Sequence, residues 1–114
     1  MEKIDGNKLR GHLDAMVLSV LDQRDAHGFE IMQQIEKQGS GALHMKEGTL
    51  YPALYRLEEA GLVKAQWEDD TSSRRGPRRR IYHITVKGKK ELNRQRVTWR
   101  QFVDVVGNIV EAPK

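Results

Sequence analysis

The chain has 114 residues, close to the commonest size of one domain, so a single modest core is expected. Hydrophobic residues make up 38% and charged residues 32%, which excludes disorder along the whole chain and a membrane protein. No apolar run approaches the ~20 residues that span a bilayer, and no signal peptide is recognisable, so we expect a cytoplasmic protein with no membrane partner. The absence of cysteine excludes thiolate metal sites and cysteine nucleophiles.

Positive charge is concentrated in one part of the chain. The net charge is only +4, but residues 74–100 hold eleven Lys or Arg against one acidic residue, Glu91. The remaining residues hold nine basic against fifteen acidic side chains. A patch of this kind favours a polyanionic partner such as nucleic acid.

Two amphipathic helices are predicted first. The apolar spacing predicts a helix from Leu9 to Leu21, with Asp5 or Asn7 available as its N-cap. A second helix follows Gly28 and ends near Gln38, because two glycines and a serine at 39–41 stop it.

A third helix is predicted from Glu47 to Ala60, and the rest of the chain is expected to hold it with one side free for a partner. Its residues Leu50, Leu54 and Leu57 recur at i, i+4 and i+7, so they form a core stripe and leave the other faces free.

The start of this third helix is predicted to be open to an anion. Lys46 is the expected N-cap, and a lysine side chain cannot accept bonds from the first free N–H groups of the helix. These donors therefore stay open to water or to phosphate. Met45 and Leu50 fall at the positions of a hydrophobic staple, and Gly61 supplies the left-handed stop at the other end.

A β-hairpin and a long helix complete the predicted elements. The first strand is expected in the stretch LVKAQWE (62–68), and the second in RRRIYHIT (78–85), where Ile81, Tyr82 and Ile84 indicate it. Between them lies a long turn-rich tip, and five of the seven residues 74–80 are arginine. Thr85 is then the expected cap of a helix from Val86 to about Glu111. The second half of this helix carries an apolar seam of Trp99, Phe102, Val103, Val106, Ile109 and Val110, which a second copy of the chain would cover economically.

These elements predict a mainly α fold with a small β-hairpin (α+β), in the order ααα-ββ-α of a winged helix-turn-helix domain. One domain is expected, with a DNA-binding core at about 9–84 and a dimerisation helix at about 85–111. In such a fold the third helix enters the major groove of DNA and the hairpin tip touches the flanking backbone or minor groove.

The predicted DNA contacts lie at the start and outer face of the third helix and in the hairpin tip. They are Lys46, Gly48, Thr49, Tyr51, Pro52, Arg56, Arg74, Arg75, Arg78, Arg79 and Arg80. Each group also has an ordinary interpretation. The outer face of the helix could simply be solvated, and the tyrosines at 51 and 55 could pack beneath the β-hairpin. The arginines of the hairpin tip could be a fortuitous basic cluster, and those at 79 and 80 could have structural roles.

Several motifs resemble one known family. The stretch GTLYPALYRLEEAGLV, followed by GPRRRIYHIT, closely resembles the PadR family of bacterial transcriptional regulators, as do LRGHLDAMVLSVL and GFEI upstream. The resemblance runs from about Leu9 to Trp99 and is to the short, single-domain branch. It implies a nucleoid-associated homodimer that represses nearby genes by binding a palindromic operator in double-stranded DNA, with release when a small molecule binds. Lys46 departs from the Ser or Asn that family members often carry there.

The resemblance also implies an effector site at the dimer interface. Trp99 matches a tryptophan that stacks on flat, drug-like ligands in some short members. The candidate effector residues are His12, Met16, Trp99, Phe102 and Val103. The candidate dimer residues are Leu9, Leu13, Trp99, Phe102, Val103, Val106, Ile109 and Val110.

Two other functions remain compatible with these patterns. One is a non-specific architectural DNA binder, and the other is a protein-interaction module that binds an unrelated helix through the terminal seam. An enzyme is not expected, because no nucleophile, metal cluster or phosphate loop can be assembled. The histidines at 12, 27, 44 and 83 lack metal-ligand spacing, so neither metal nor cofactor is predicted.

Overall fold

The computed structural model describes residues 11–69 and 76–112 of the chain. It confirms a mainly helical fold with a small antiparallel sheet. The elements are α1 (Leu13–Gln23), β1 (Ala26–His27), α2 (Gly28–Gln38), α3 (Glu47–Glu59), β2 (Val63–Trp67), β3 (Arg80–Ile84) and α4 (Val86–Val110). Among the described residues, every helix is too short or too polar to span a lipid bilayer.

The core lies between α1, α2 and α3 and is closed by the sheet and the start of α4. The predicted stripe of Leu50, Leu54 and Leu57 is fully buried in it. Buried side chains of α1 pack into the same cluster, and Val63, Tyr82 and Leu92 close it from the sheet and from α4. Burial of this apolar surface is the main force that holds α3 in place.

The first helix begins later than predicted. Its N-cap is His12, preceded by Gly11 in a turn, so the helix starts at Leu13 and not near Leu9. A glycine costs about 1 kcal/mol in a helix interior, which favours a start after position 11. The predicted caps at 5 and 7 and the predicted interface residue Leu9 lie outside the described residues.

A short strand, β1, was not predicted. Ala26 and His27 pair antiparallel with Tyr82 and Ile81 of β3, so the sheet has three strands in the order β1-β3-β2. The observed order is therefore α-β-α-α-β-β-α. Two residues are too few to show a strand periodicity in the sequence.

The residue that ends β1 also starts α2. Nδ1 of His27 accepts a bond from the N–H of Glu30 at 3.3 Å, and Oε1 of Glu30 accepts from the N–H of His27 at 3.2 Å. This capping box satisfies two free donors at the helix start. At the other end Gly41, with φ +77°, donates to the carbonyl of Glu36 at 2.9 Å, as expected for a glycine stop.

The turn after α3 is bonded to the start of α4. Gly61 has φ +76°, the left-handed conformation that was predicted for it. Its carbonyl accepts from the Thr85 hydroxyl at 2.7 Å, and the N–H of Thr85 donates to the carbonyl of Leu62 at 3.1 Å. Nζ of Lys87 donates to the carbonyl of Ala60 at 2.8 Å. Three bonds therefore join the first turn of α4 to the turn that ends α3.

Thr85 and Gly88 complete this junction. The Thr85 hydroxyl accepts from the N–H of Gly88 at 3.0 Å, so Thr85 is the N-cap that the sequence predicted. A Cβ at Gly88 would overlap the carbonyl oxygen of Leu62 and lie 2.8 Å from Cγ1 of Ile84. Only glycine permits this close approach of α4 to the hairpin.

Candidate nucleic-acid interface

The start of α3 has the geometry that the sequence predicted. Lys46 is the N-cap in an extended conformation (φ −92°, ψ 155°), and its side chain makes no capping bond to the described residues. Met45 and Leu50, the two positions of the predicted staple, are both buried in the same cluster. The first turn of α3 therefore presents open N–H groups beside an exposed lysine.

The outer face of α3 is centred on residues that face away from the core. At about 100° per residue, Gly48, Pro52 and Tyr55 lie nearly opposite the buried leucine stripe. The Tyr55 side chain is 65% exposed, the largest fraction among the hydrophobic residues of this helix. Tyr55 was not among the predicted DNA contacts, although helical periodicity alone places it on this face.

The two flanks of α3 contact neighbouring helices. Tyr51, which is 44% exposed, lies over the start of α2, where a Cβ at Gly28 would come within 2.7 Å of its Cζ. On the other flank, Nη2 of Arg56 donates to Oδ1 of Asp14 in α1 at 3.1 Å. Tyr51 and Arg56 therefore hold α3 against α2 and α1 and are also exposed beside its outer face. Thr49 is exposed as well.

The described part of the wing is an antiparallel ladder between β2 and β3. Val63 pairs with Ile84 at its base and Trp67 pairs with Arg80 at its end, and the N–H of Glu68 donates to the carbonyl of Arg79 at 2.8 Å. The predicted contacts Arg74 and Arg75 lie outside the described residues.

Arg78 and Arg79 are bonded at the base of the tip. Nε and Nη2 of Arg78 donate to the carbonyl of Glu68 at 3.1 and 2.9 Å, and its Cζ lies 6.0 Å from the centre of the Trp67 ring. The N–H of Arg79 donates to Oε1 of Glu68 at 3.0 Å, and its Nη1 lies 2.8 Å from Nε2 of His27. These bonds orient both guanidinium groups at the base of the tip.

Arg80 contacts α3 directly. Its Nη2 donates to Oε2 of Glu58 at 3.0 Å, and its Cζ lies 5.7 Å from the Trp67 ring centre and 5.9 Å from that of Tyr82. Burial raises the pKa of the Tyr82 phenol, and the nearby Arg80 charge opposes that rise. Arg80 thus has the structural role that was weighed as an alternative, while its contact with DNA stays a prediction.

A second candidate site lies between α1 and α4. The edge of the His12 ring meets the Trp99 ring at a centroid distance of 5.1 Å, and Phe102 stacks on Trp99 at 6.0 Å and 17°. Met16 joins these three in lining an open cavity of ≈ 970 Å³. In the described part of the chain, the predicted residue Val103 is not among the lining residues, whereas the unpredicted residue Leu43 is.

The second half of α4 extends beyond the core. The seam residues after Phe102 are all exposed in this single chain: Val103, Val106, Ile109 and Val110. Leu13, also a predicted interface residue, is instead buried in the core of the domain. In residues 11–69 and 76–112, no three His, Asp or Glu side chains are placed to hold a metal ion.

The three helices, the arginine-rich hairpin and the long last helix define a winged helix-turn-helix protein. Residues 17–94 match the model of the PadR-like family of transcriptional regulators, and the chain belongs to this family. It is a DNA-binding transcriptional regulator, and members of the family are regulators and not enzymes.

Solved structures and a curated relative agree with this family. A transcriptional regulator from Clostridium thermocellum is 32% identical, with a TM-score of 0.83 over 94% of this chain and 98% of that one. A PadR family regulator from Clostridium difficile R20291 is 33% identical, with a TM-score of 0.77 over 88% of this chain and 99% of that one. Transcriptional regulator YqjI of Escherichia coli K12 is 32% identical over 59 residues, which are 52% of this chain and 28% of that protein.

Proposed function

We propose that the protein is a dimeric, sequence-specific repressor that binds a palindromic operator. The observation that carries this proposal is the open face of α3, where an uncapped helix start and the exposed residues Gly48, Pro52 and Tyr55 stand beside an arginine-rich wing. Each protomer would place α3 in the major groove, with half-sites about one turn, ~34 Å, apart. Further contacts with DNA around Gly48, Pro52 and Tyr55 would come from Lys46, Thr49, Tyr51 and Arg56.

The wing would supply sequence-independent affinity. Arg78 and Arg79 are held at the base of its tip, and two further arginines, Arg74 and Arg75, precede them closely in the sequence. If the dimer neutralises about six to ten phosphates, log K falls with log salt at a slope of roughly −5 to −9. Replacing Arg78 and Arg79 together by Ala should weaken binding to all duplexes alike and flatten that slope. An unchanged slope would remove these two arginines from the interface.

The dimer would form through the second half of α4. Trp99, Phe102, Val106, Ile109 and Val110 form one apolar strip that the rest of the described chain leaves exposed. Such a strip is typical of an interface, and a two-fold axis would bring the same strip of a second copy against it. The same axis would produce the symmetry of a palindromic operator.

The cavity between α1 and α4 would hold a planar aromatic effector. Trp99 and Phe102 offer parallel ring faces, and His12 and Met16 close the side that α1 forms. Leu43 lies in the same lining and in the loop that leads to Met45 and Lys46. A ligand there would contact the segment that sets the start of α3. Titration calorimetry with planar aromatic compounds, compared between the wild type and Trp99→Ala, tests this site.

In-vitro selection from a randomised duplex pool tests the main proposal. We expect enrichment of an inverted repeat that the protein binds at least a hundredfold more tightly than a shuffled duplex near physiological salt. Fluorescence anisotropy measures both affinities. Equal binding of all duplexes would indicate a non-specific architectural protein, and no binding would reject the proposed DNA function of α3 and the wing.

A further inference from the structure

Three side chains from three elements meet where α3 and the wing adjoin. Glu58 lies in the last turn of α3, Trp67 is the last residue of β2, and Arg80 is the first residue of β3. The guanidinium of Arg80 donates to the Glu58 carboxylate at 3.0 Å and lies 5.7 Å from the Trp67 ring centre. Trp67 and Arg80 are also direct partners across the ladder. Arg80 therefore joins α3 to the wing.

This arrangement does not resemble a phosphate-binding arginine. The Arg80 side chain is 38% exposed, but its Nε is buried and has no acceptor within residues 11–69 and 76–112, so this donor does not face a duplex. The Cζ of its planar group lies 5.7 Å from the Trp67 ring centre and 5.9 Å from that of Tyr82, contacts that a lysine reproduces poorly. To reach a phosphate, Arg80 would have to leave both the carboxylate and the rings.

The position of Glu58 is also unusual for a DNA-binding surface. A carboxylate at the edge of that surface repels phosphate, so an acidic residue there weakens binding unless it has another duty. Glu58 is paired with Arg80, whereas no described residue pairs with the carboxylate of its exposed neighbour Glu59. The chain thus provides two adjacent acids, of which one links α3 to the wing.

We propose that Glu58 and Arg80 are positioning residues for DNA binding. Their pair fixes the angle between α3 and the arginine wing, so that both elements meet the duplex at once. Glu58 then promotes DNA binding in spite of its negative charge. The inference rests on the proposed placement of α3 and the wing on DNA.

The two adjacent glutamates provide the main test, because the two explanations predict effects of opposite sign. Charge repulsion alone predicts that Glu58→Gln and Glu59→Gln both tighten binding. Positioning predicts that Glu59→Gln leaves binding equal or severalfold tighter, while Glu58→Gln weakens it about tenfold. Both are measured by anisotropy on the duplex that the wild type selects from a randomised pool. Binding by Glu58→Gln that is as tight as binding by Glu59→Gln would overturn the proposal.

Arginine variants test the other partner. Arg80→Lys keeps the charge but loses the planar contacts, so we expect a loss of about tenfold with an unchanged salt slope. A phosphate contact would instead survive in Arg80→Lys, and Arg80→Gln would flatten the slope by about 1 per protomer. Wild-type affinity in Arg80→Lys would overturn the proposal. In a Glu58→Gln background, Arg80→Gln should add little further loss, and two fully additive losses would also overturn it.

Controls separate a failed inference from a failed function or a failed fold. If the wild type enriches no duplex, the proposed function fails first; if it does and the two glutamine variants bind alike, only the positioning inference fails. Thermal unfolding establishes that each variant is folded. Glu58→Asp, which keeps the charge but shortens the reach, serves if Glu58→Gln does not fold: positioning predicts a loss of affinity, and wild-type binding would contradict it.

Discussion

The two halves of α4 are continuous in backbone but differ in what holds them. The first half is bonded to the turn that ends α3, buries Gly88 and Leu92, and reaches α1 through Arg96, whose Nη2 lies 3.3 Å from the hydroxyl of Ser19. The second half exposes its valines, isoleucine and aromatics. An isolated helix of about a dozen residues is marginal in water, so this half needs the continuity of the helix and, in our proposal, a partner. The two halves of α4 thus have the same helical backbone but different sources of stability.

The largest expected effect comes from charge on the exposed seam. Val106→Asp should raise the dimer dissociation constant at least a hundredfold, because an unpaired carboxylate in an apolar interface costs about 3 kcal/mol or more. Val97 lies nine residues earlier, about 180° around the helix, and is similarly exposed, so Val97→Asp is the matched control. Sedimentation at low micromolar concentration measures both. A Val106→Asp dimer as stable as that of Val97→Asp would reject this seam.

Two glycines sharpen the contrast between the halves. Gly88→Ala should destabilise the fold by about 1–3 kcal/mol, because its Cβ would meet the backbone of Leu62 and that backbone cannot swing away. Within the described residues nothing lies within 4 Å of a Cβ at Gly107, so Gly107→Ala should stabilise by about 0.5–1 kcal/mol through helix propensity. Denaturant unfolding gives both values. A loss of stability in Gly107→Ala would show that position 107 is packed against a partner.

Two threonines give a smaller contrast of the same kind. Thr85→Ala removes the N-cap of α4 and the bond to Gly61, and we expect a loss of about 1–2 kcal/mol. Among the described residues, the Thr98 hydroxyl bonds only back to the carbonyl of Arg94 in its own helix, at 3.1 Å, so Thr98→Ala should be neutral or slightly stabilising. Thermal unfolding of the two variants measures this difference in stability. Equal melting temperatures would mean that the cap bond contributes nothing.

The smallest expected effect is a pH dependence in the first half. Bonds from Arg94 and Gln95 lower the pKa of the Glu91 carboxyl from its ordinary value of 4.5. A depressed folded pKa contributes stability above pH 4.5 that is lost as pH falls through the folded pKa. Wild type should therefore melt slightly higher than Glu91→Gln at pH 7, and the difference should shrink as pH falls through the depressed pKa of Glu91. A difference that does not shrink as pH falls would contradict a carboxylate origin.

The elements with strong periodicity could be predicted from the sequence. The three leucines of α3, the cap at Thr85 and the glycine at 61 each follow from a local rule, and the structure confirms all three. The start of α1 was placed wrongly because Leu9 continues the apolar spacing, whereas the helix begins only after the turn at Gly11 and His12. The strand at 26–27 is defined by pairing with β3, which lies more than fifty residues away in the sequence.

The site was predictable in composition but not in contacts. Residue type and topology place arginines on the wing, yet the ion pair between Arg80 and Glu58 spans 22 residues and depends on how the hairpin packs on α3. The pair between Arg56 and Asp14 is likewise a product of tertiary packing. Tyr55 is different, because the spacing from the leucine stripe already indicated that it faces outward.

The bonded junction between α4 and the turn at 60–62 couples the last helix to α3, which in our proposal enters the major groove. The 25 residues of α4 span about 38 Å. A tilt of about 10° at the far end would move the first turn, and α3 with it, by roughly 6.5 Å, nearly two base-pair steps of ~3.4 Å. A small change of angle at the far end of α4 therefore displaces α3 by a distance comparable to the spacing of base pairs.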